Sequence, residues 1–368
     1  MNTQTDKSSY LIHLVGFAIV LFALSDVLQS RELIIAGAAL SAFAFILCIP
    51  NNDGYRVMQS IFFIILLLIT SLVNLFFTSN GLGGTIILFG NLLLAYLYIL
   101  TLDKKLTIWI LLAYTITIVF ISYNLFILNV GANNIYDGLS RNHAGFVVIF
   151  WTGFLLFHLK INYNSTFLIF PIFGLALCFF LLGRTSLIVS ALLVLLVLLH
   201  KLRRNKISQI IAVAVLSVSG YYLFILFGEL LETQTNLGSG LDTIRWELWR
   251  IYWEHINLTN IFTGVDVSTL PKYDLIGGNP HNSLIKFHSR TGVGSVVFII
   301  LLFVSIYKYL HAKKYFILGI LLLLTLRAFF DSDLLIGSFD FIFLIITFYW
   351  IKTDEYEPRY LDNHRSLQ

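Results

Sequence analysis

Apolar runs of nearly bilayer-spanning length follow one another from residue 11 to residue 350, and one extended polar stretch, 229–291, interrupts them. A helix crosses the hydrocarbon core with about 20 consecutive apolar residues. The runs 11–28, 33–49, 61–77, 82–100, 106–128, 144–159, 166–182, 187–199, 207–227, 293–310, 315–326 and 334–350 approach that length, so about twelve spans are predicted. Those at 187–199 and 315–326 are short, which requires polar residues at their ends to belong to the helices. The predicted fold class is all-α: one polytopic membrane domain over 1–368, with 229–291 as its large loop. Composition agrees, because 58% of the residues are hydrophobic and only 12% charged, about half the charged share of a soluble domain. The first run lacks the flanks and cleavage site of a removed signal and is expected to be retained. The polar tail 354–368 is expected to be loosely ordered.

Composition also excludes classes of function. No basic run is interleaved with aromatics as single-strand binding requires, so nucleic acid is not an expected partner. Cys48 and Cys178 both fall inside apolar runs, where a thiol acts as a small hydrophobe, and no disulfide or metal framework is visible. No Gly-rich phosphate loop followed by Lys-Ser/Thr is present, so no nucleotide cofactor is expected.

Positive residues in short connections set orientation. With both termini inside, the cytoplasmic connections hold Arg56, Lys104, Lys105, Lys160, Lys201, Arg203, Arg204, Lys206, Lys308, Lys313 and Lys314. The short outer connections hold Arg31, Arg141, Arg184 and Arg327. The cluster from His200 to Lys206 reads as a topology anchor against anionic lipid. The large loop is then extracytoplasmic, and any group transfer there needs a donor that arrives already activated.

Within that loop, Leu241, Ile244, Leu248 and Ile251 recur at helical spacing and predict an amphipathic helix over 241–256. Arg245, Trp249 and Tyr252 share a second face, and Trp246 and Trp253 suit anchorage in the membrane interface. Arg245 at headgroup depth is fitted to bidentate phosphate binding. Pro280-His281-Asn282-Ser283 stands where a helix begins, and a neutral imidazole at that end is able to accept a proton. His288 follows on the same face and lines the site. Gly183-Arg184-Thr185-Ser186 breaks a long apolar region and leaves Arg184 at the hydrocarbon boundary, in need of an anionic partner. Arg327 either contributes to the same site or pairs with Asp331 four residues on. Arg141 with His143, and Arg290, fall on the same membrane face. No carboxylate pair of glycosidase type stands out, with Asp242, Glu247 and Asp274 left open. Asp340 is placed several residues inside the last span, as in a transporter.

Three ordered features, Gly183-Arg184-Thr185-Ser186 opening a span, Arg245-x-x-x-Trp249 with Gly264 after it, and His281-Asn282-Ser283-Leu284 leading to Thr291-Gly292-Val293-Gly294, carry a family resemblance. Over roughly residues 165–310 the chain resembles the O-antigen ligase and O-antigen polymerase superfamily of bacterial surface-polysaccharide enzymes. The resemblance implies a bacterial inner-membrane glycosyl-transferring enzyme with a periplasmic active face. Its donor would be an oligosaccharide on polyprenyl pyrophosphate, with neither metal nor cofactor. By analogy His281 deprotonates or orients the acceptor hydroxyl, and Arg184 and Arg245 bind the pyrophosphate. Arg141, Arg290, Arg327, Asn282 and Trp249 are further substrate contacts. A compact loop favours the repeat-unit polymerase, with the ligase that transfers glycan to a lipid A core as the alternative. Chain-length regulators are implied partners, and a lipid-linked glycan transporter is the competing class.

Overall fold

The computed structural model describes residues 3–48, 65, 81–139, 141–203, 205–211, 213–214, 218, 244–273, 279–331 and 337–353. Among them all regular structure is helical. The chain forms α1 (Thr3–Val27), α2 (Arg31–Cys48), α3 (Gly81–Thr101), α4 (Leu106–Phe126), α5 (Arg141–Tyr163), α6 (Ile169–Phe180) and α7 (Arg184–Lys201). The loop helices α8 (Ile244–Glu254), α9 (Leu258–Thr263) and α10 (Ser283–Thr291) come next. Last are α11 (Val293–His311), α12 (Tyr315–Phe329), α13 (Asp340–Phe348) and the single turn α14 (Trp350–Thr353). Seven helices, α1–α5, α7 and α11, are long and apolar enough to cross a membrane. The expected run 61–77 and most of 207–227 lie outside the described residues.

The bundle is organised around α5, which packs on α4, α6, α7, α12 and α13. Its residues from Ala144 to Leu159 are all buried, as befits a helix that is apolar on every side. Gly153 lets Leu324 of α12 approach closely, since a Cβ there would meet it at 3.3 Å. Polar groups inside such a core must be bonded. His158 is held by the Tyr98 hydroxyl on Nδ1 at 2.6 Å and by Thr107 Oγ1 on Nε2 at 2.9 Å.

The periphery is different. Ile300, Phe303 and Tyr307 of α11, and Ile35, Phe43 and Ile46 of α2, are exposed. Water would not tolerate such broad apolar faces, whereas lipid tails cover them at no cost. The chain is therefore a helical membrane protein.

Helix lengths depart from hydropathy in informative ways. As expected, the polar ends of 187–199 and 315–326 join their helices, and α7 starts at Arg184 while α12 includes Arg327. The run 166–182 yields only the 12-residue α6, roughly 18 Å of helix. Of the expected span 334–350, residues 334–336 lie outside the described residues. Its helix α13 begins at Asp340, whose Oδ2 accepts from Gly337 N–H at 2.9 Å, and it has nine residues, all buried. Packed on α3, α5, α11 and α12, it need not meet lipid. Asp340 therefore opens a helix rather than interrupting one.

Arg31, Arg141, Arg184 and Arg327 all fall at helix termini at one end of the bundle, the arginine end, where α8–α10 also sit. Lys104, Lys160, Lys201, Lys308 and Lys313 mark the lysine end.

Candidate functional site

Two helix starts meet at the arginine end. Gly145 of α5 faces Ser186 of α7 so closely that a Cβ on the glycine would overlap the serine hydroxyl. The chain enters α7 through Leu182 at φ 54 and Gly183 as N-cap, a sharp reversal after α6. Arg141 and Arg184, the first residues of α5 and α7, are thereby brought within electrostatic reach of each other.

Arg327 arrives from the last turn of α12 and is 1% exposed. Its Nη2 donates to the Asn142 carbonyl at 2.6 Å and lies 2.7 Å from the Asp331 carboxylate, and its guanidinium stacks over Phe146. The Asp331 pairing read from the four-residue spacing is present. The guanidinium is used to tie α12 to α5.

The loop docks onto the next few residues. Arg245 of α8 donates from Nη1 to the Phe330 carbonyl at 3.4 Å. Burial pushes the Arg245 pKa down, Arg184 and Arg327 push the same way, and Asp331 opposes them. One turn on, Trp249 packs edge-on against Phe329 and donates its indole N–H to the Pro280 carbonyl at 2.9 Å. Ser283 Oγ donates to the Asp331 carbonyl at 2.6 Å. Residues 329–331 are thus a hub that joins Arg245, Arg327 and the segment 280–283.

His281 sits in that segment, immediately before α10. The N-cap of α10 is Asn282, whose side chain accepts from Leu284 N–H and Ile285 N–H, and His281 takes a left-handed φ of 49. Its own N–H donates to Asn279 Oδ1 at 2.8 Å. A non-glycine residue in that conformation persists only where its surroundings over-determine it. Here the Trp249–Pro280 bond on one side and the Asn282 cap on the other do so.

The loop has its own small core. Leu248, Trp249, Ile251, Tyr252, Val265, Leu270, Tyr273 and Ile285 pack together, while Trp246 and Trp253 remain exposed. In the described part of α8 both proposed faces pack inward, with Leu248, Ile251, Trp249 and Tyr252 buried and Arg245 partly so. Tyr273 donates to the Leu248 carbonyl, and burial pushes its phenol up to about 12. His288 is bonded at both nitrogens, to the Tyr252 hydroxyl at 2.6 Å and the Ile261 carbonyl at 3.2 Å. It clamps α10 to α8 and α9. Gly264 and Gly292, both at positive φ, close this clamp, since a Cβ on either would overlap the backbone of the facing segment.

Of the residues singled out from sequence, Arg327 and Arg245 meet at Asp331, the Arg184 charge acts on Arg245 and on Arg141, and the 280–283 segment is tied to the same hub. Arg290 is not drawn into that group. Its charge is met by Asp340 of α13, against the downward push of burial on its pKa. Asn282 and Trp249 were expected to touch substrate, but their polar groups serve the α10 cap and the Pro280 bond. Glu247 pairs with Lys272 on the loop surface, and Asp242 and Asp274 lie outside the described residues.

A second feature was not named from sequence. On the far side of the α5 start a cavity of ≈ 330 Å³ is lined by Asp26, Arg31, Asp137, His143 and Lys286 among others. His143 Nε2 lies 2.8 Å from Asp26 Oδ1, and the buried Tyr136 hydroxyl acts on the same carboxylate, whose residue is 8% exposed. The available signal was a lone carboxylate near the end of an apolar run, which in a membrane helix points to function. Among the described residues no group of three His, Cys, Asp or Glu side chains is gathered as a metal would need.

No protein-family model, curated protein or solved structure matches the chain.

Proposed function

We propose that the chain is a membrane glycosyl-transferring enzyme that uses a polyprenyl-pyrophosphate-linked oligosaccharide and polymerises repeat units of a bacterial surface polysaccharide. The observation that carries this reading is Arg245 bonded to the hub that also holds the His281 segment, with the Arg184 charge near it and that of Arg141 near Arg184. Guanidinium groups recognise phosphate oxygens bidentately and stay charged even where burial opposes them.

In the proposed reaction the acceptor hydroxyl oxygen bonds to the anomeric carbon of the donor as the bond from that carbon to the phosphate oxygen breaks. The hydroxyl proton passes to the His281 imidazole. The polyprenyl pyrophosphate leaves with the bonding electron pair, and its growing charge is met by Arg184 and Arg245, with Arg141 behind them. Fixed donors aimed at a leaving phosphate are the kind of electrostatic work that lowers such barriers. Arg327 and Asp331 hold the frame. In this reading the arginine end faces the periplasm of a bacterial cytoplasmic membrane, as the lysines at the other end favour.

The ligase reading keeps the same donor chemistry with a lipid A core as acceptor. The transporter reading rests on Asp340, which is buried at the start of α13 with its charge met by Arg290.

The test is the surface-polysaccharide ladder of a deletion strain complemented with wild type or His281→Ala, with insertion checked by immunoblot. The variant is expected to insert normally and to lose about 10²–10⁴-fold of the rate, the share a general base supplies. A single repeat unit on lipid core identifies the polymerase. Long polymer left on the polyprenyl carrier identifies the ligase, and an unchanged ladder removes His281 from the chemistry.

A further inference from the structure

We propose that the lysine end of the bundle holds a binding site for the phosphate headgroup of an anionic membrane lipid. A cavity of ≈ 540 Å³ opens there between the ends of α5 and α7, the turn joining α11 to α12, and Tyr349. Lys160, Arg203, Lys313 and Lys314 line it with His200, and no carboxylate does so among the described residues.

The bonding of Lys160 is the informative detail. Its ammonium has three N–H donors, and it gives one to Asn164 Oδ1 at 2.6 Å and one to His200 Nε2 at 2.9 Å. Both acceptors are neutral, since an imidazole that accepts at Nε2 carries no charge. A half-buried ammonium at a helix end ordinarily finds a carboxylate. Here it finds amide and imidazole, with a third donor left for a ligand and Arg203 close enough to act on both Lys160 and His200.

Cations at helix C-termini also offset the helix dipole and fix topology. Either role is satisfied by charges that fan outward, and neither calls for several cations converging on one cavity. Phosphate satisfies the arrangement, because it offers three or more acceptor oxygens to an arginine fork and several point charges at once. Leu196, Phe316 and Ile317 form an apolar flank beside the charges, which a lipid fills with its glycerol and upper acyl chain. Basic pockets between transmembrane helices on the cytoplasmic side take anionic headgroups on the same physical grounds. The assignment does not depend on the glycan-transfer reading, as no residue is shared between the two sites.

The full-length protein, purified in detergent, is titrated with phosphatidylglycerol, phosphatidylcholine and inorganic phosphate, and retained lipid is counted by native mass spectrometry. Phosphatidylglycerol is expected to stay bound and to raise the thermal midpoint, and phosphatidylcholine to do neither. Lys160→Gln with Arg203→Gln is expected to weaken phosphatidylglycerol about fivefold per cation removed, while Lys160→Arg retains it. If the double variant does not fold, Lys313→Gln, on an exposed side chain, carries the same comparison. Equal retention of the two lipids, or unchanged affinity in the variants, overturns the site. Inorganic phosphate that displaces phosphatidylglycerol at equal concentration overturns the lipid assignment in favour of a soluble phosphate ligand.

Discussion

Among the described residues seven arginines share the arginine end and its loop, Arg31, Arg141, Arg184, Arg245, Arg250, Arg290 and Arg327, and their surroundings separate the ones that hold the fold from the ones available to substrate. Arg327 is buried, bonded to the Asn142 carbonyl and paired with Asp331. Arg290 faces Asp340. Arg184 is half-buried at the start of α7, its charge near those of Arg141 and Arg245. Substitutions should divide the same way. Arg327→Met leaves the Asp331 carboxylate buried without its counter-charge, a loss of about 3–5 kcal/mol, so the amount of inserted protein should fall sharply. Arg184→Lys keeps the charge and removes the planar fork. It should leave protein levels and the thermal midpoint unchanged and lower donor use about tenfold, the worth of one charge-assisted hydrogen bond. Immunoblots of membranes, read with the polysaccharide ladder, separate the outcomes. Equal loss of protein in both variants would place Arg184 in the scaffold with Arg327.

At the scale of elements, α10 is positioned by a histidine that must stay neutral. With His288 Nε2–H donating to the Ile261 carbonyl, Nδ1 is left to accept from the Tyr252 hydroxyl, and that second bond needs the uncharged ring. Burial lowers the His288 pKa, which the Ile261 bond only partly opposes. The folded loop thus binds a proton less readily than the unfolded one, and stability rises with pH wherever that holds. The contribution is whole above the unfolded value of about 6.5, and declines as pH falls below it toward the lowered folded value. Protection from hydrogen exchange in α8–α10, taken relative to the intrinsic rate at each pH, should fall between pH 7.5 and 5.5, and His288→Asn should flatten that dependence. A fall of the same size in the variant would assign it to another group. This clamp also marks the limit of what the sequence made legible. The recurrence of Leu248 and Ile251 disclosed α8, and the break at Gly183 disclosed the start of α7 with Arg184, because both are local patterns. The Asn282 cap of α10 was legible too, as an Asn-Ser pair opening a helix, whereas that Trp249 donates to Pro280 and that His288 braces the loop are long-range facts. A polar side chain in a motif looks the same whether its hydrogen bond is to ligand or to a carbonyl nearby in space.

For the molecule as a whole, hydropathy disclosed the long helices since the solvent itself selects them, but it misjudged the interior. The nine-residue α13 is as apolar as a span because it is buried in protein on every side, and composition does not distinguish protein from lipid as an apolar surrounding. The wholly buried α5 is the same case at full length. Charge adds what hydropathy lacks. Among the described residues the short connections of one end hold Lys104, Lys105, Lys160, Lys201, Arg203, Lys206, Lys308, Lys313 and Lys314, against Arg31, Arg141, Arg184 and Arg327 in those of the other, and short cytoplasmic connections are the ones enriched in Lys and Arg. The lysine end should therefore be cytoplasmic. Leu258, 82% exposed on the loop, and Lys313, exposed in the turn before α12, report the two ends, and Cys48 and Cys178 are buried and contribute little background. In intact cells a membrane-impermeant maleimide should label Leu258→Cys and spare Lys313→Cys until the membrane is permeabilised. The reverse pattern would turn the arginine end toward the cytoplasm, where a lipid-linked glycan awaiting polymerisation outside does not reach it, and the glycosyl-transfer reading would fall with the orientation.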